Sequence, residues 1–271
     1  MIQRCVTGIL LILALGVCLS LGTWAYVCLC LVFLYASAFE MFRAFKSAGC
    51  HAVEWPCWVC AALMPYLFYR QSGAAVFLPV MLAGCMLAAV VVMFRREPKL
   101  QDALASALPV FCVLLPGMLL ISLANVPVRY YAVMLELLAI GVPLTGDIMA
   151  YLVGRKIGKT PLCPPVSPHK TVEGSAAGLL GSVLFAAAIY LVYARLVMMP
   201  PLWHFLVLGL LGGFFGQGGD LFASLIKRHC GVKDFGSVFP GHGGFLDRID
   251  SPLWAGLVFF LYLNLNFLPI R

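Results

Sequence analysis

The chain has 271 residues, of which 63% are hydrophobic and 11% are charged, and its mean hydropathy is +1.00. Soluble globular domains of this length carry many more charges, so the composition excludes them and predicts an integral membrane protein. The net charge of +7 suits the anionic headgroups of a lipid bilayer and gives no reason to expect a nucleic-acid partner.

Apolar segments recur along the chain at about the length that a transmembrane helix requires, which is roughly 20 residues for about 30 Å of hydrocarbon. The nine segments cover residues 6–21, 23–39, 55–69, 73–94, 104–123, 130–153, 176–199, 202–222 and 252–269. We therefore predict an all-α fold, a polytopic transmembrane bundle of about nine spans in a single membrane domain. The first two segments are interpreted as helices joined by a tight turn at Gly22 rather than as a cleaved signal peptide, because apolar sequence continues beyond the turn.

Lysine and arginine residues divide unevenly between the two sides of such a bundle. With nine spans and the N-terminus inside, 14 of the 18 Lys and Arg residues fall on one side. The other side receives Arg70, Arg129, Arg195 and Arg271. Because cytoplasmic loops collect these cations, we predict an N-in, C-out protein of the cytoplasmic (inner) membrane of a bacterium.

Three acids lie within or at the edge of the apolar segments: Glu136, Asp147 and Asp220. A charge in a membrane span is costly and marks function or a specific ion pair. Asp147 and Asp220 lie near the helix ends that lead into the two longest polar segments, residues 154–174 and 227–251, both on the cation-rich side. We expect the active site there. Glu136 lies deeper, and we expect it to bond to another helix.

Residues 216–250 combine acids, cations and glycines at spacings that favour phosphate chemistry. In a helix, Asp220, Ser224 and Arg228 share one face. The Pro-Gly-His-Gly-Gly turn that follows allows close backbone approach and could present N–H groups to phosphate. Carboxylates from separate elements with cations nearby are what a divalent ion and a polyphosphate require, because Mg²⁺ takes one or two protein carboxylates together with water and phosphate oxygens. This pattern favours phosphoryl-type transfer over acyl or hydride chemistry.

Residues 147–174 contain a second group of polar side chains, which is suited to bind a nucleotide. Asp147, Tyr151 and Arg155 repeat every four residues, and a cluster of cations with two hydroxyl side chains follows. The cluster is interpreted as a clamp for nucleotide phosphates. The predicted catalytic residues are Asp220, Asp247, Lys227, Arg228, Lys233, His242 and Arg248. The predicted metal ligands are Asp220, Asp247 and Asp250, and the predicted nucleotide-binding residues are Asp147, Tyr151, Arg155, Ser167, Lys170, Thr171, Ser224, Gly243 and Gly244.

At these residues the chain resembles the phosphatidate cytidylyltransferases, also called CDP-diglyceride synthetases. Their signature contains Ser, an apolar residue and Lys-Arg, then Lys-Asp, then His-Gly-Gly and Asp-Arg-x-Asp, and residues 224–250 match every defined position. An upstream pattern, Asp-x-x-Ala-Tyr-x-x-Gly-Arg followed by Ser-Pro-x-Lys-Thr-x-Glu-Gly, matches residues 147–174. The resemblance covers residues 147–250, whereas the first 140 residues agree with the family only in being hydrophobic and multispanning.

The resemblance implies a Mg²⁺-dependent reaction of CTP with phosphatidic acid that gives CDP-diacylglycerol and pyrophosphate, with Asp220 and Asp247 as metal ligands at the cytoplasmic face. A second metal, a monovalent cation and a homodimer are left open. Residues 1–140 are then the scaffold, and residues 141–271 are the catalytic region.

Several candidate residues also have structural interpretations. Asp220 could instead form a structural ion pair with Arg228 or Lys227, and Asp247 has a similar alternative. Asp250 could be the N-cap of a helix with Pro at its first helical position. His242 fits phosphate contact or loop structure better than base catalysis, because a phosphatidate phosphate is already anionic. Asp147 could bind the ribose, a metal or another helix.

Two other functions stay open at this point. One is a related CTP-dependent membrane enzyme, such as a polyprenol or other lipid kinase or cytidylyltransferase. The other is a transporter, because intramembrane acids also line ion pathways. The concentration of polar residues on one side and the lack of an internal sequence repeat argue against the transporter.

Overall fold

A computed structural model describes residues 2–71, 74–239, 241 and 243–265 of the chain. Within these residues the protein consists of α-helices and one short hairpin. The helices are α1 Ile2–Leu21, α2 Thr23–Ser47, α3 Trp55–Tyr69, α4 Ala74–Met93, α5 Leu100–Pro109, α6 Leu115–Ser122, α7 Arg129–Ile157, α8 Val172–Tyr193, α9 Leu202–His229 and α10 Leu246–Asn264. The antiparallel hairpin pairs β1, Pro161–Cys163, with β2, Ser167–Thr171.

Each of the nine predicted segments coincides with a helical stretch over most of its described length, although α8 ends at Tyr193, six residues before the end of the predicted segment 176–199. The segment at 104–123 combines α5 and α6, which a π-helical turn at Val110–Leu114 joins into one helical stretch. The predicted turn after the first segment is confirmed, because α1 ends at Leu21 and α2 begins at Thr23. Gly22 between them has a φ of 117°, a conformation that other residues rarely adopt. Residue 73 and residues 266–269 of the predicted segments lie outside the described residues.

In the part of the chain that the structure describes, six helical stretches are long and apolar enough to cross a membrane. They are Thr23–Ser47, Ala74–Met93, Leu100–Asn125, Arg129–Ile157, Val172–Tyr193 and Leu202–His229. The other three predicted segments correspond to α1, α3 and α10. Of these, α3 has only 15 residues, and α10 begins with three charged residues within its first five, Asp247, Arg248 and Asp250. The all-α fold is thus confirmed, while the count of nine spans stays a prediction.

The chain divides into two compact units, each of which consists of two separate stretches of the sequence. Unit 1 contains Met1–Ile121 and Ile226–Ile249, and unit 2 contains Ser122–Leu225 and Asp250–Arg271. The signature segment between α9 and α10 therefore groups with the N-terminal helices. The assignment of residues 1–140 as the scaffold and residues 141–271 as the catalytic region stays a prediction.

Unit 1 joins its helices through apolar packing and a few buried polar contacts. The Tyr35 hydroxyl of α2 donates to the Ala61 carbonyl of α3 at 2.6 Å. Ser106 on α5 accepts the Val53 N–H at 2.7 Å, and Asp102 accepts the His51 N–H at 2.8 Å. These contacts satisfy backbone groups in the connection between α2 and α3, so this connection has a fixed conformation.

Unit 2 is built around close contacts between helices with small side chains. A Cβ added at Gly178 of α8 would lie 2.9 Å from the Gly146 carbonyl oxygen of α7, so the two backbones approach more closely than any larger residue allows. The Ser182 hydroxyl donates to the Val142 carbonyl at 2.9 Å and adds a polar contact between the same helices. Glu136 is fully buried and pairs with Arg129 at 3.1 Å on its own helix, whereas the expected bond to another helix stays a prediction.

Candidate active site

The carboxylate of Asp220 on α9 contacts two side chains of unit 2. Lys170 on β2 forms an ion pair with Oδ2, and the Ser224 hydroxyl, one helical turn further along α9, donates to Oδ1 at 3.4 Å. The side chains of Lys170 and Asp220 are 28% and 25% exposed. Water and small ions therefore reach this pair. The predicted helical spacing of Asp220 and Ser224 is confirmed by their contact.

The hairpin and the start of α8 hold Lys170 in place. Thr171 is the N-cap of α8, and its hydroxyl accepts the Gly174 N–H at 3.1 Å. Glu173 in the first turn of α8 accepts the backbone N–H of Lys159 at 3.1 Å and ties the end of α7 to the start of α8. Ser167 lies at the first position of β2, opposite Cys163. The Thr171 hydroxyl thus has a structural role, whatever further role it has towards a nucleotide.

The predicted row of polar side chains on α7 is confirmed as a helical face. The Arg155 guanidinium donates to the Tyr151 hydroxyl at 3.3 Å, one turn earlier on the helix. Asp147 lies one turn before Tyr151, and its Oδ2 is 3.5 Å from the Ser251 hydroxyl of α10. Tyr151 is 62% exposed, so the described residues leave most of its side chain uncovered.

Asp250 lies inside α10 rather than before it. The helix begins at Leu246, so the interpretation of Asp250 as an N-cap with Pro252 in the first turn is wrong. Its Oδ1 accepts the N–H of the next residue, Ser251, at 2.7 Å. The role of Asp250 as a metal ligand stays a prediction.

The carboxylate of Asp247 in unit 1 is held by three donors. Lys227 on α9 donates to Oδ1 at 2.8 Å, while the backbone N–H groups of Phe235 and Gly244 donate to Oδ2, each at 2.9 Å. The side chains of Lys227 and Asp247 are 12% and 4% exposed. Because all of these donors except Lys227 come from the loop between α9 and α10, Asp247 fixes the loop conformation as well as pairing with a cation.

The glycine-rich turn brings the backbone close to Asp247. Gly243 has a φ of 81°, in the left-handed region that favours glycine. Its carbonyl accepts the Phe239 N–H at 3.0 Å, which closes the turn. The Gly244 N–H, predicted to face phosphate, is donated to Asp247 in the structure. His242 and Pro240 of this turn lie outside the described residues.

The sequence model of the cytidylyltransferase family matches residues 2–266. The chain belongs to this family. It is similar to the phosphatidate cytidylyltransferase of Aquifex aeolicus (strain VF5), with 37% identity over 155 residues, which are 56% of this chain and 55% of the relative. It is also similar to the phosphatidate cytidylyltransferase of Bacillus subtilis (strain 168), with 47% identity over 109 residues, which are 40% of this chain and 39% of the relative.

A third relative is the uncharacterized protein YnbB of Escherichia coli (strain K12), which is 40% identical over 131 residues, 48% of this chain and 43% of the relative. The chain thus aligns with about half or less of the length of these curated relatives.

The acids that the family resemblance assigns to Mg²⁺ have the chemistry that this ion requires. Asp220 and Asp247 offer hard carboxylate oxygens, and Oδ1 of each carboxylate receives one side-chain donor, which leaves room for a second interaction. Within the described residues, no group of three or more His, Cys, Asp or Glu side chains is placed to hold a metal ion. Mg²⁺ does not need such a group, because water and phosphate oxygens complete its coordination. Asp220 and Asp247 belong to different units, and their binding of one ion stays a prediction.

The remaining cations of the family signature differ in their exposure. Arg228 and Lys233 are exposed, as are Arg155, Lys156 and Lys159 at the end of α7. Arg248 in the first turn of α10 is partly buried. Its Nε is buried and makes no hydrogen bond within the described residues. A polyphosphate can approach exposed guanidinium and ammonium groups from solvent, so their predicted role fits their positions.

Glu40 on α2 is a buried acid that the sequence analysis missed. The residue is only 5% exposed. Its Oε2 accepts the backbone N–H of Leu246, the first residue of α10, at 3.0 Å. Arg43, one turn further along α2, donates to the Phe235 carbonyl at 3.4 Å. The second predicted apolar segment ends at Phe39, one residue before Glu40. Extending the segment over Glu40, a single acid flanked by apolar residues, would have identified it.

Proposed function

We propose that the protein transfers the cytidylyl group of CTP to phosphatidic acid and forms CDP-diacylglycerol and pyrophosphate. The observation that carries this proposal is the set of contacts within the signature segment. Asp247, Lys227 and the glycine-rich turn lie in direct contact, as expected for residues that act together on one reaction. Relatives that bear the name phosphatidate cytidylyltransferase align with this chain, which gives the proposal independent support.

The proposed reaction is an in-line displacement at the α-phosphorus of CTP. An oxygen of the phosphatidate phosphate attacks this phosphorus, the new P–O bond forms, and the bond to the bridging oxygen of pyrophosphate breaks. The nucleophile is already anionic, so the step requires no general base. The charge that accumulates on the phosphate oxygens must instead be stabilised by cations, which are abundant in both polar segments.

Asp220 and Asp247 would hold Mg²⁺, which would offset negative charge on the nucleotide phosphates. Lys170 and Lys227 keep these two carboxylates paired and oriented. We assign the exposed Arg228, Lys233 and Arg155 to phosphate contacts, and Asp147 and Tyr151 to the nucleoside. Ser224 orients Asp220 through its hydroxyl.

We further propose an integral protein of the bacterial cytoplasmic membrane with nine spans, an N-in, C-out orientation and an active site that faces the cytoplasm. CTP arrives from water, whereas phosphatidic acid enters laterally from the bilayer, so the site must lie at a membrane surface. Both polar segments fall on the side that carries 14 of the 18 Lys and Arg residues, which supports the cytoplasmic side.

The test uses purified protein in detergent with CTP and phosphatidic acid, and measures pyrophosphate and CDP-diacylglycerol. We expect product only in the presence of Mg²⁺, and a loss of at least about 100-fold in kcat for Asp220→Asn and for Asp247→Asn. Glu97→Gln is the matched control, because Glu97 is an exposed acid on the cation-rich side and outside the signature.

Each outcome of this test has a distinct meaning. Full activity of both Asp variants would exclude the metal assignment. In a parallel assay in which a polyprenol replaces phosphatidic acid, transfer of the γ-phosphoryl group of CTP to the polyprenol hydroxyl, with release of CDP, would identify a CTP-dependent lipid kinase instead. The absence of any product from phosphatidic acid with the wild-type protein would exclude the proposed substrate.

A further inference from the structure

The buried carboxylate of Glu40 lies against the beginning of α10. Leu246 is the first residue of this helix, and its N–H has no partner within the helix, as for every helix N-terminus. Glu40 Oε2 accepts this N–H from α2, at 3.0 Å. A negative charge at this end of a helix also interacts favourably with the helix dipole. Glu40 therefore acts as an N-terminal cap supplied by a different helix.

Two glycines of the loop provide the space that the Glu40 carboxylate occupies. At both Gly236 and Gly244, an added Cβ would overlap the oxygens of this carboxylate. Gly244 belongs to the signature, and its φ lies outside the left-handed region, so backbone conformation does not require glycine there. The close approach of Glu40 supplies the physical reason for glycine at position 244.

The capped helix turn also carries Asp247. Asp247 follows Leu246 directly, and its carboxylate accepts the N–H groups of Phe235 and Gly244 from the loop that Glu40 contacts. Arg43 on the same helix as Glu40 binds the Phe235 carbonyl. The position of Asp247 thus depends on a loop and a helix start that are both fixed from α2.

We propose that Glu40 is a positioning residue, whose carboxylate caps α10 from α2 and holds the segment 235–247 in the conformation that presents Asp247. The effect on catalysis rests on the proposed function above, whereas the effect on the segment does not. Glu40 touches neither substrate nor metal in this scheme and acts through the backbone of the loop and of the first residue of α10.

The first test measures amide hydrogen exchange of full-length protein in detergent, by mass spectrometry, without substrate. Glu40→Ala should accelerate exchange in peptides that cover residues 243–247 by about tenfold, the size expected from the loss of a helix cap. Peptides that cover the hairpin Pro161–Thr171 of unit 2 serve as the internal control and should be unchanged. Unchanged exchange at residues 243–247 would overturn the proposal, and so would equal acceleration everywhere, which indicates general destabilisation.

The second test asks whether Gly244 and Glu40 act through one contact. Gly244→Ala introduces a methyl group where the carboxylate lies, so it should accelerate exchange at residues 243–247 as Glu40→Ala does. In the double variant the added methyl has room, so the combined effect should be smaller than the two single effects together. Additive effects would overturn the proposed contact.

The third test separates positioning from folding. Glu40→Gln keeps the shape and one carbonyl oxygen for the Leu246 N–H, so it should fold and accelerate exchange less than Glu40→Ala. In the cytidylyl transfer assay, Glu40→Ala should lower kcat by about 100-fold, the effect of misplacing a reacting group by about 1 Å, with little change in KM for CTP. Glu40→Gln should retain more of kcat. If the exchange results hold but kcat of Glu40→Ala equals that of wild type, Glu40 has a structural role only and the positioning role is excluded. If the wild-type protein itself makes no product, the proposed function is wrong. The exchange results then still show whether Glu40 caps α10.

Discussion

Replacing either candidate metal ligand by Asn should abolish activity, but only one of the two replacements should strongly destabilise the protein. Asp247 is 4% exposed and pairs with a Lys227 side chain that is 12% exposed. Removing the charge of one partner in a buried ion pair leaves the other charge uncompensated, which costs about 3–5 kcal/mol. In the carboxylate, Oδ1 accepts from Lys227 and Oδ2 accepts from a backbone N–H. In Asp247→Asn an NH₂ group, which cannot accept a hydrogen bond, replaces one of these oxygens and must face one of these donors.

Asp220 differs because water reaches its ion pair. The side chains of Lys170 and Asp220 are 28% and 25% exposed, so solvent screens their attraction. Pairs of this kind contribute about 0–1 kcal/mol. Asp220→Asn should therefore reduce the free energy of unfolding by about 1 kcal/mol or less, although it removes the same functional group.

The assay is reversible unfolding of both variants in mixed micelles of mild detergent and SDS, followed by circular dichroism, with Glu97→Gln as the control. The expected result is a difference of at least about 2 kcal/mol between the two Asn variants. Equal losses of stability would refute the argument from burial. A double variant with Lys227→Met, which removes the opposite charge as well, should recover part of the loss in Asp247→Asn. If the double variant loses as much unfolding free energy as the two single variants together, the broken ion pair is not the cause of the instability of Asp247→Asn.

Three further predictions concern other parts of the molecule. Thr171→Ala removes the N-cap of α8 and should lower the free energy of unfolding by about 1 kcal/mol in the same assay; an unchanged value would exclude the cap. Gly178→Ala should destabilise unit 2, because its Cβ meets the α7 backbone, whereas Gly218→Ala, in open space within α9, should stabilise the protein by up to about 1 kcal/mol; similar shifts for both would contradict the packing described here. Burial raises the pKa of the Cys230 thiol to about 11, so iodoacetamide at pH 8 should modify Cys230 much more slowly than Cys163, and the rate at Cys230 should rise as the pH approaches that pKa. Equal rates at pH 8, measured by mass spectrometry of the modified peptides, would contradict the burial of Cys230.

The sequence predicted the helices well because the length of apolar segments is a strong and local signal. It also predicted contacts that depend only on helical periodicity, such as Asp220 with Ser224 and Tyr151 with Arg155. Both contacts join residues one turn apart on a single helix. No knowledge of the tertiary fold was needed for these predictions.

The pairing of each acid with its own lysine could not be predicted in the same way. Lys170 and Asp220 are 50 residues apart, and Lys227 and Asp247 are 20 residues apart. The sequence suggested Lys227 or Arg228 as partners of Asp220, because they lie close by in the chain. Which cation reaches which acid depends on how the hairpin and the loop fold back, and composition does not encode this.

The start of α10 shows a local rule overridden by tertiary structure. Asp250, Ser251 and Pro252 match the local pattern of a helix start, yet the helix begins at Leu246. The earlier start is possible because Glu40 on another helix accepts the first free N–H. A rule that considers only neighbouring residues cannot include a cap that comes from about 200 positions earlier in the sequence.

The tight packing of α7 against α8 has a consequence for mutational surveys. Added side chains at Gly146, Gly178 and Gly181 would collide with the facing helix, so even alanine should be poorly accepted at these places. A deep mutational scan would record them as a stripe of intolerant positions with helical spacing, much like the stripe that a ligand-binding face produces. Scoring protein abundance beside enzyme turnover would distinguish the two, because substitutions in the glycine stripe deplete the folded protein itself.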